Sequence, residues 1–119
     1  MKFYCHPRCS TCKKAQTWLD DHEVSYEFIN LLETTPSKET WVSILEKTDR
    51  SLKSYFNTSG GVYRENNLKD KLPDMTLEEA AEWLSSNGMV VKRPFAIEGN
   101  QHTSGFKETE YETIWKNGE

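Results

Sequence analysis

Cys9 and Cys12 are separated by two residues in Cys9-Ser10-Thr11-Cys12, a spacing from which two thiols can close a short disulfide ring. The segment falls between the end of a predicted strand and the start of a predicted helix. A thiol at that junction meets unpaired backbone N–H groups and the positive end of the helix dipole, both of which favour a thiolate. Arg8 and Lys13 add cationic charge nearby. Thiol–disulfide exchange is the chemistry this arrangement suits best, and it would also make the thiolate a good leaving group on re-reduction.

Two other chemistries use the same residues. With Cys5 the cysteines spell C-x3-C-x2-C, a spacing used for the iron–sulfur clusters of radical enzymes. Those enzymes need a partial barrel much longer than this chain, since full α/β barrels run to about 250 residues. A zinc site built from His6 and the cysteines would lack the second ligand pair usual for structural zinc. Inert cysteines are the plainest reading. Cys9 and Cys12 weigh against it because they lie in a polar loop, whereas Cys5, ending a strand, reads as a buried small hydrophobe. His6 reads as a turn histidine, and His22 and His102 carry no assigned role.

The elements that must position these thiols follow from periodicity. Lys2 to Cys5 is a short strand, His6-Pro7-Arg8 a turn, and Thr11 to His22 a helix with Cys12, Ala15, Trp18 and Leu19 on one face. Val24, Tyr26 and Phe28 alternate with polar residues as a half-buried strand. Thr35-Pro36 reads as the cap and first residue of a second helix carrying Trp41, Ile44 and Leu45. Leu52, Tyr55 and Phe56 suggest a short helix before the loop from Asn57 to Gly61. Thr76 with Glu79 is a capping box opening a helix that stops near Gly88. Met89-Val90-Val91 and Pro94 to Ile97 read as one interrupted strand, Glu98-Gly99-Asn100 as a turn, and Thr103 to Phe106 as its antiparallel return. A last helix carries Tyr111, Ile114 and Trp115. The order is βαβ, a helical middle, then ββα: an α/β fold with a mixed sheet in a thioredoxin-like arrangement. It reads as a single domain over 1–119 with a helical insertion over about 35–87.

Composition narrows the partners. The 119 residues carry a formal charge of −4, so no broad basic surface is available for nucleic-acid backbones. The apolar runs are too short to span a membrane, and the N-terminal segment lacks a signal-peptide pattern. The expected setting is the cytoplasm, where disulfide frameworks are rare and cysteines are more often catalytic, sensing or metal-binding. There is no G-x-G-x-x-G or phosphate-binding loop, and no metal, flavin or nucleotide cofactor is expected.

These motifs resemble the arsenate-reductase/Spx family along nearly the whole chain and in order. Phe3-Tyr4, Pro7 to Ala15 and Trp18-Leu19 resemble its opening motif. Phe56 to Gly60 and Tyr63-Arg64-Glu65 resemble its middle segment, Lys92-Arg93-Pro94 its [KR]-R-P signature, and Gly105 to Glu108 its closing motif. The resemblance implies a thioredoxin fold, Cys9 as nucleophile and Pro94 as the cis proline of the fold beside it; on the spacing above, Cys12 would resolve the mixed disulfide. Arg93 and Arg64 match two of the three arginines that hold the oxyanion in arsenate reductases. The third position is Phe106 here, Cys5 stands where many of those enzymes have a histidine, and His6 where they have an asparagine. Typical glutathione-coupled members also lack a cysteine at the position of Cys12. These departures favour disulfide over arsenate chemistry.

The expected reaction is thiol-dependent reduction of a disulfide, by thiol–disulfide exchange, or of an oxyanion, with glutathione, bacillithiol or thioredoxin as reductant. The rival reading is a redox-sensing regulator that, like Spx, binds the C-terminal domain of the RNA polymerase α subunit. Spx regulators carry a longer C-terminal tail than this chain, which favours the reductase expectation.

Overall fold

Alternation along Lys2–Cys5 turns Phe3 and Cys5 to one side of the first strand and Tyr4 to the other, and that parity organises the site. The computed structural model describes residues 1–99 and 101–115. In chain order these form β1 (Lys2–Cys5), α1 (Ser10–Asp21), β2 (Glu27–Asn30), α2 (Lys38–Lys47), α3 (Gly61–Glu65), α4 (Leu68–Lys71), α5 (Leu77–Ser86), β3 (Phe95–Glu98), β4 (Gln101–Ser104) and α6 (Glu108–Ile114). Three short 3-10 turns at Leu52–Tyr55, Leu72–Asp74 and Gly88–Val90 complete the helical segments among the described residues. Two compact units result, Met1–Asn30 with Arg93–Glu119, and Leu31–Lys92.

The first unit holds a sheet in the order β2-β1-β3-β4 among the described residues. The β1–β2 pair is parallel, while β1–β3 and β3–β4 are antiparallel. This is the mixed βαβ…ββα arrangement that the sequence predicts. Register carries the parity of β1 across the sheet. Phe3 pairs with Phe28 on one side and Ala96 on the other, and Ala96 with Thr103. Phe3, Cys5 and Ala96 bury themselves with Cys12, Ala15, Trp18 and Leu19 of α1 and with Tyr111 and Trp115 at the C-terminal end. Inside this core the Trp115 Nε1–H donates to Thr103 Oγ1 at 3.1 Å, so the indole's one polar group is satisfied. The opposite parity places Tyr4 against Phe95, ring centroids 6.3 Å apart. Burial, reinforced by Glu27, pushes the Tyr4 phenol up.

In the second unit α2 packs on α5. The α5 capping box is present in full: Thr76 Oγ1 accepts from the Glu79 N–H at 3.1 Å and Glu79 Oε1 from the Thr76 N–H at 2.9 Å. Three local expectations are corrected. The cap of α2 is Ser37, which accepts from the Thr40 N–H at 3.2 Å, because the Thr35 hydroxyl instead donates to the Ser85 carbonyl at 2.6 Å. Met89-Val90-Val91 is no strand: Asn87 Oδ1 accepts from the Met89 N–H and turns the chain into a 3-10 turn. Only Val91 pairs in extended form, in an isolated bridge to Phe56. The loop read as running to Gly61 ends earlier, since Gly61 opens α3.

The returning strand β4 ends at Ser104, so Gly105 and Phe106 lie beyond it. Gly105 adopts φ +82°, a left-handed conformation glycine reaches without penalty. Asn100, in the predicted hairpin turn, lies outside the described residues. No helix among the described residues is long and apolar enough to cross a membrane.

Candidate active site

Cys9 is the N-cap of α1, with extended backbone at φ −87° and ψ 122°. Its amide donates to the His6 carbonyl and its carbonyl accepts from Lys13, each at 3.2 Å. The side chain makes no capping hydrogen bond, so its sulfur is uncommitted at the helix start. The turn before it is closed by the Arg8 N–H donating to His6 Nδ1 at 3.0 Å. That bond makes His6 a turn histidine with Nδ1 as acceptor.

Cys12 is the third helical residue and points down the stripe of Ala15, Trp18 and Leu19 into the core. Cys5 reaches the same core from β1. Both are almost fully buried, Cys5 at 0% and Cys12 at 1% exposure, while Cys9 is partly exposed. All three sulfur atoms lie within 4.8 Å of one another. Cys5 and Cys12 are drawn together as a disulfide with Cα atoms 6.2 Å apart, and Cys9 is the free thiol.

This partner differs from the Cys9–Cys12 pair that chain spacing alone suggests. The reason is directional. Cys5 shares the parity of Phe3, and Cys12 shares the spacing of Ala15 and Trp18, so both face the same layer of the βα unit. Combining those two periodicities would have placed Cys5 and Cys12 face to face from sequence. Reading Cys5 only as a core hydrophobe captured its burial and missed its neighbour.

The supporting residues fall in different places. Arg93 is half-buried and opens the second segment of the first unit, joined to buried Pro94 by a cis peptide bond. The Pro94 carbonyl accepts from the Gly105 N–H at 2.9 Å. The [KR]-R-P signature and the closing motif are thereby tied together within the unit that carries the thiols. Arg64 is exposed in the last turn of α3, in the other unit. Phe106 is half-buried against the core that holds Cys5 and Cys12. Lys107 stands at the N-cap position of α6, because β4 has already ended.

A mixed sheet of this order, with cysteines at the start of its first helix and an Arg-Pro pair before its third strand, defines an arsenate-reductase-like protein. Residues 4–114 match the model of the ArsC family, and the chain belongs to that family. It is similar to YusI, an uncharacterized protein of Bacillus subtilis (strain 168), with 45% identity over 97% of this chain and 98% of that one. The global transcriptional regulator Spx of Streptococcus agalactiae is 27% identical over 90% of this chain and 77% of its own length. Among solved structures, a possible arsenate reductase from Streptococcus mutans UA159 superposes with a TM-score of 0.88 at 40% identity, covering 94% of each chain.

Proposed function

We propose that the protein is a thiol–disulfide oxidoreductase in which Cys9 attacks and Cys12 resolves. The observation that carries this reading is the position of Cys9: an extended N-cap residue, partly exposed, whose sulfur lies within 4.8 Å of the buried Cys12 sulfur. Cys9 forms a mixed disulfide with the substrate, expelling one substrate thiolate, and Cys12 then attacks the Cys9 sulfur and expels the other. Arg93 and Pro94 are the proposed support for the thiolate and the substrate. An external thiol such as glutathione, bacillithiol or thioredoxin resets the pair, and a cytoplasmic setting suits that supply. The test is turnover of disulfide and arsenate substrates under each reductant, in the unmodified protein and in Cys9→Ser and Cys12→Ser. Disulfide reduction lost in Cys9→Ser supports the reading; undiminished reduction in that variant defeats it.

The similarity to Spx favours one second reading, a redox-sensing regulator using the same cysteines as a switch. Its test is capture of the RNA polymerase α C-terminal domain by oxidised and reduced protein. Redox-dependent capture with no disulfide turnover would favour the switch over the enzyme.

A further inference from the structure

We infer that Cys5 is a second resolving thiol, so that oxidation ends in a buried Cys5–Cys12 disulfide and returns Cys9 to the free thiol state. This rests on the proposed oxidoreductase reading and assigns a role to a residue which that reading leaves idle. Three observations carry it. Cys5 and Cys12 face one another across the β1–α1 layer with Cα atoms 6.2 Å apart, inside the span of about 4.4–6.8 Å that a disulfide needs. The Cys9 sulfur lies within 4.8 Å of both, so Cys12 can exchange partners by side-chain rotation. Exposure is graded, with Cys9 partly exposed and the other two almost fully buried.

The sequence of bonds balances. The Cys9 sulfur bonds one sulfur of a substrate disulfide, whose S–S bond breaks and releases the first thiolate. Cys12 then bonds the Cys9 sulfur, and the second substrate thiolate leaves. Cys5 next bonds the Cys12 sulfur, and Cys9 departs as thiolate. Two electrons pass from the Cys5 and Cys12 thiols to the substrate, and their two protons end on the two product thiols. Re-reduction runs the other way. Cys9 attacks Cys12 and frees Cys5, and an external thiol attacks the accessible Cys9 sulfur, with a second equivalent completing the reset.

Burial gives this last transfer a purpose. A Cys9–Cys12 disulfide keeps one sulfur at the surface, where any passing thiol can open it. A Cys5–Cys12 disulfide lies in the core and can be opened only through Cys9. Cys9 becomes the single gate for oxidation and reduction alike.

The test is a timed oxidation of the full reduced chain with glutathione disulfide. Samples are quenched in acid, denatured, alkylated and mapped by peptide mass spectrometry. The expected course is a transient Cys9–Cys12 link replaced by Cys5–Cys12 as the dominant end product, with the alkyl label on Cys9. Cys5→Ala should stop at Cys9–Cys12. In oxidised unmodified protein, blocking Cys9 by alkylation should abolish re-reduction by glutathione under native conditions. A Cys9–Cys12 end product in the unmodified protein, with the label on Cys5, overturns this inference and leaves the oxidoreductase reading standing. No linkage among the cysteines and no turnover overturns both. Reduced protein that takes up one zinc ion through all three thiolates and then resists oxidation makes the cluster a metal site and also overturns the relay. The unmodified chain alone separates these outcomes, so the inference remains testable if Cys5→Ala does not fold.

Discussion

The ring of Phe106 stands edge-on to that of Tyr111, centroids 4.8 Å apart and planes at 88°. Tyr111 belongs to the core that contains Cys5 and Cys12, and Phe106, at the position matched by resemblance to an oxyanion-holding arginine, packs against it. An arsenate anion beside a thiolate needs several fixed cationic donors, and an aromatic ring supplies none. Burial pushes the Tyr111 phenol up, so its neighbour is a neutral ring at physiological pH.

Arsenate reduction is therefore expected to be weak or absent where disulfide reduction is measurable. One missing charge-assisted contact costs about 1.5–3 kcal/mol, or roughly 10- to 150-fold in anion affinity. Phe106→Arg should raise arsenate turnover more than disulfide turnover. It should also lower stability through loss of the aromatic pair, worth about 0.5–1.5 kcal/mol. Parallel kinetics and denaturant unfolding check both halves. Arsenate turnover by the unmodified protein equal to that of its best disulfide substrate contradicts the argument.

The α5 cap carries a pH-dependent contribution. Hydrogen bonds from the Thr76 backbone and side chain hold the Glu79 carboxyl below its ordinary value. A depressed carboxyl stabilises the fold above its unfolded pKa, near 4.5, and that contribution is lost as pH falls through the lower folded value. Glu79→Gln keeps a neutral acceptor for the Thr76 N–H and should flatten the acid limb of the stability curve. Thr76→Ala should cost about 0.5–2 kcal/mol at neutral pH. Urea unfolding at neutral and acid pH separates the two. An unchanged acid limb in Glu79→Gln refutes the assignment.

Gly88 is required for space. A Cβ there would lie 1.9 Å from the Leu31 carbonyl oxygen and 2.7 Å from its carbonyl carbon, a collision with backbone that no rotamer relieves. Gly88→Ala is expected to destabilise the Leu31–Lys92 unit by about 1–3 kcal/mol or more. Gly99→Ala serves as the contrast, since it meets nothing within 4 Å and carries only the strain of φ +58°. Thermal unfolding compares them, and a Gly88→Ala variant as stable as the parent refutes the packing argument.

These residues also show what can be read from the chain. The Thr76–Glu79 box, the strand parity of Phe3 and the Ala15–Trp18–Leu19 stripe follow from local rules, and each appears in the structure where those rules put it. Gly88 was legible as the stop of a helix, but the reason for a glycine there is a carbonyl far away in sequence. Thr35 and Ser37 are equally able to cap, and only the distant Ser85 carbonyl decides between them. The placement of Cys9 and Cys12 at the start of α1 was legible from motif and spacing. The Cys5–Cys12 juxtaposition needed the strand and helix periodicities read together. The short helix carrying Arg64 begins within the Gly60-Gly61 pair, whose sequence reads as a loop.

The central claim is that Cys9 is the attacking thiol. The most direct measurement is intact-mass spectrometry of the Cys5→Ala/Cys12→Ser variant, which keeps only Cys9, incubated with glutathione disulfide beside Cys9→Ser. The account predicts a single glutathione adduct that accumulates on Cys9, persists for want of a resolving thiol and is removed by added reductant, with no comparable adduct in native Cys9→Ser. Failure of Cys9 to form that adduct, or equally fast modification of Cys5 or Cys12 in Cys9→Ser, would contradict it.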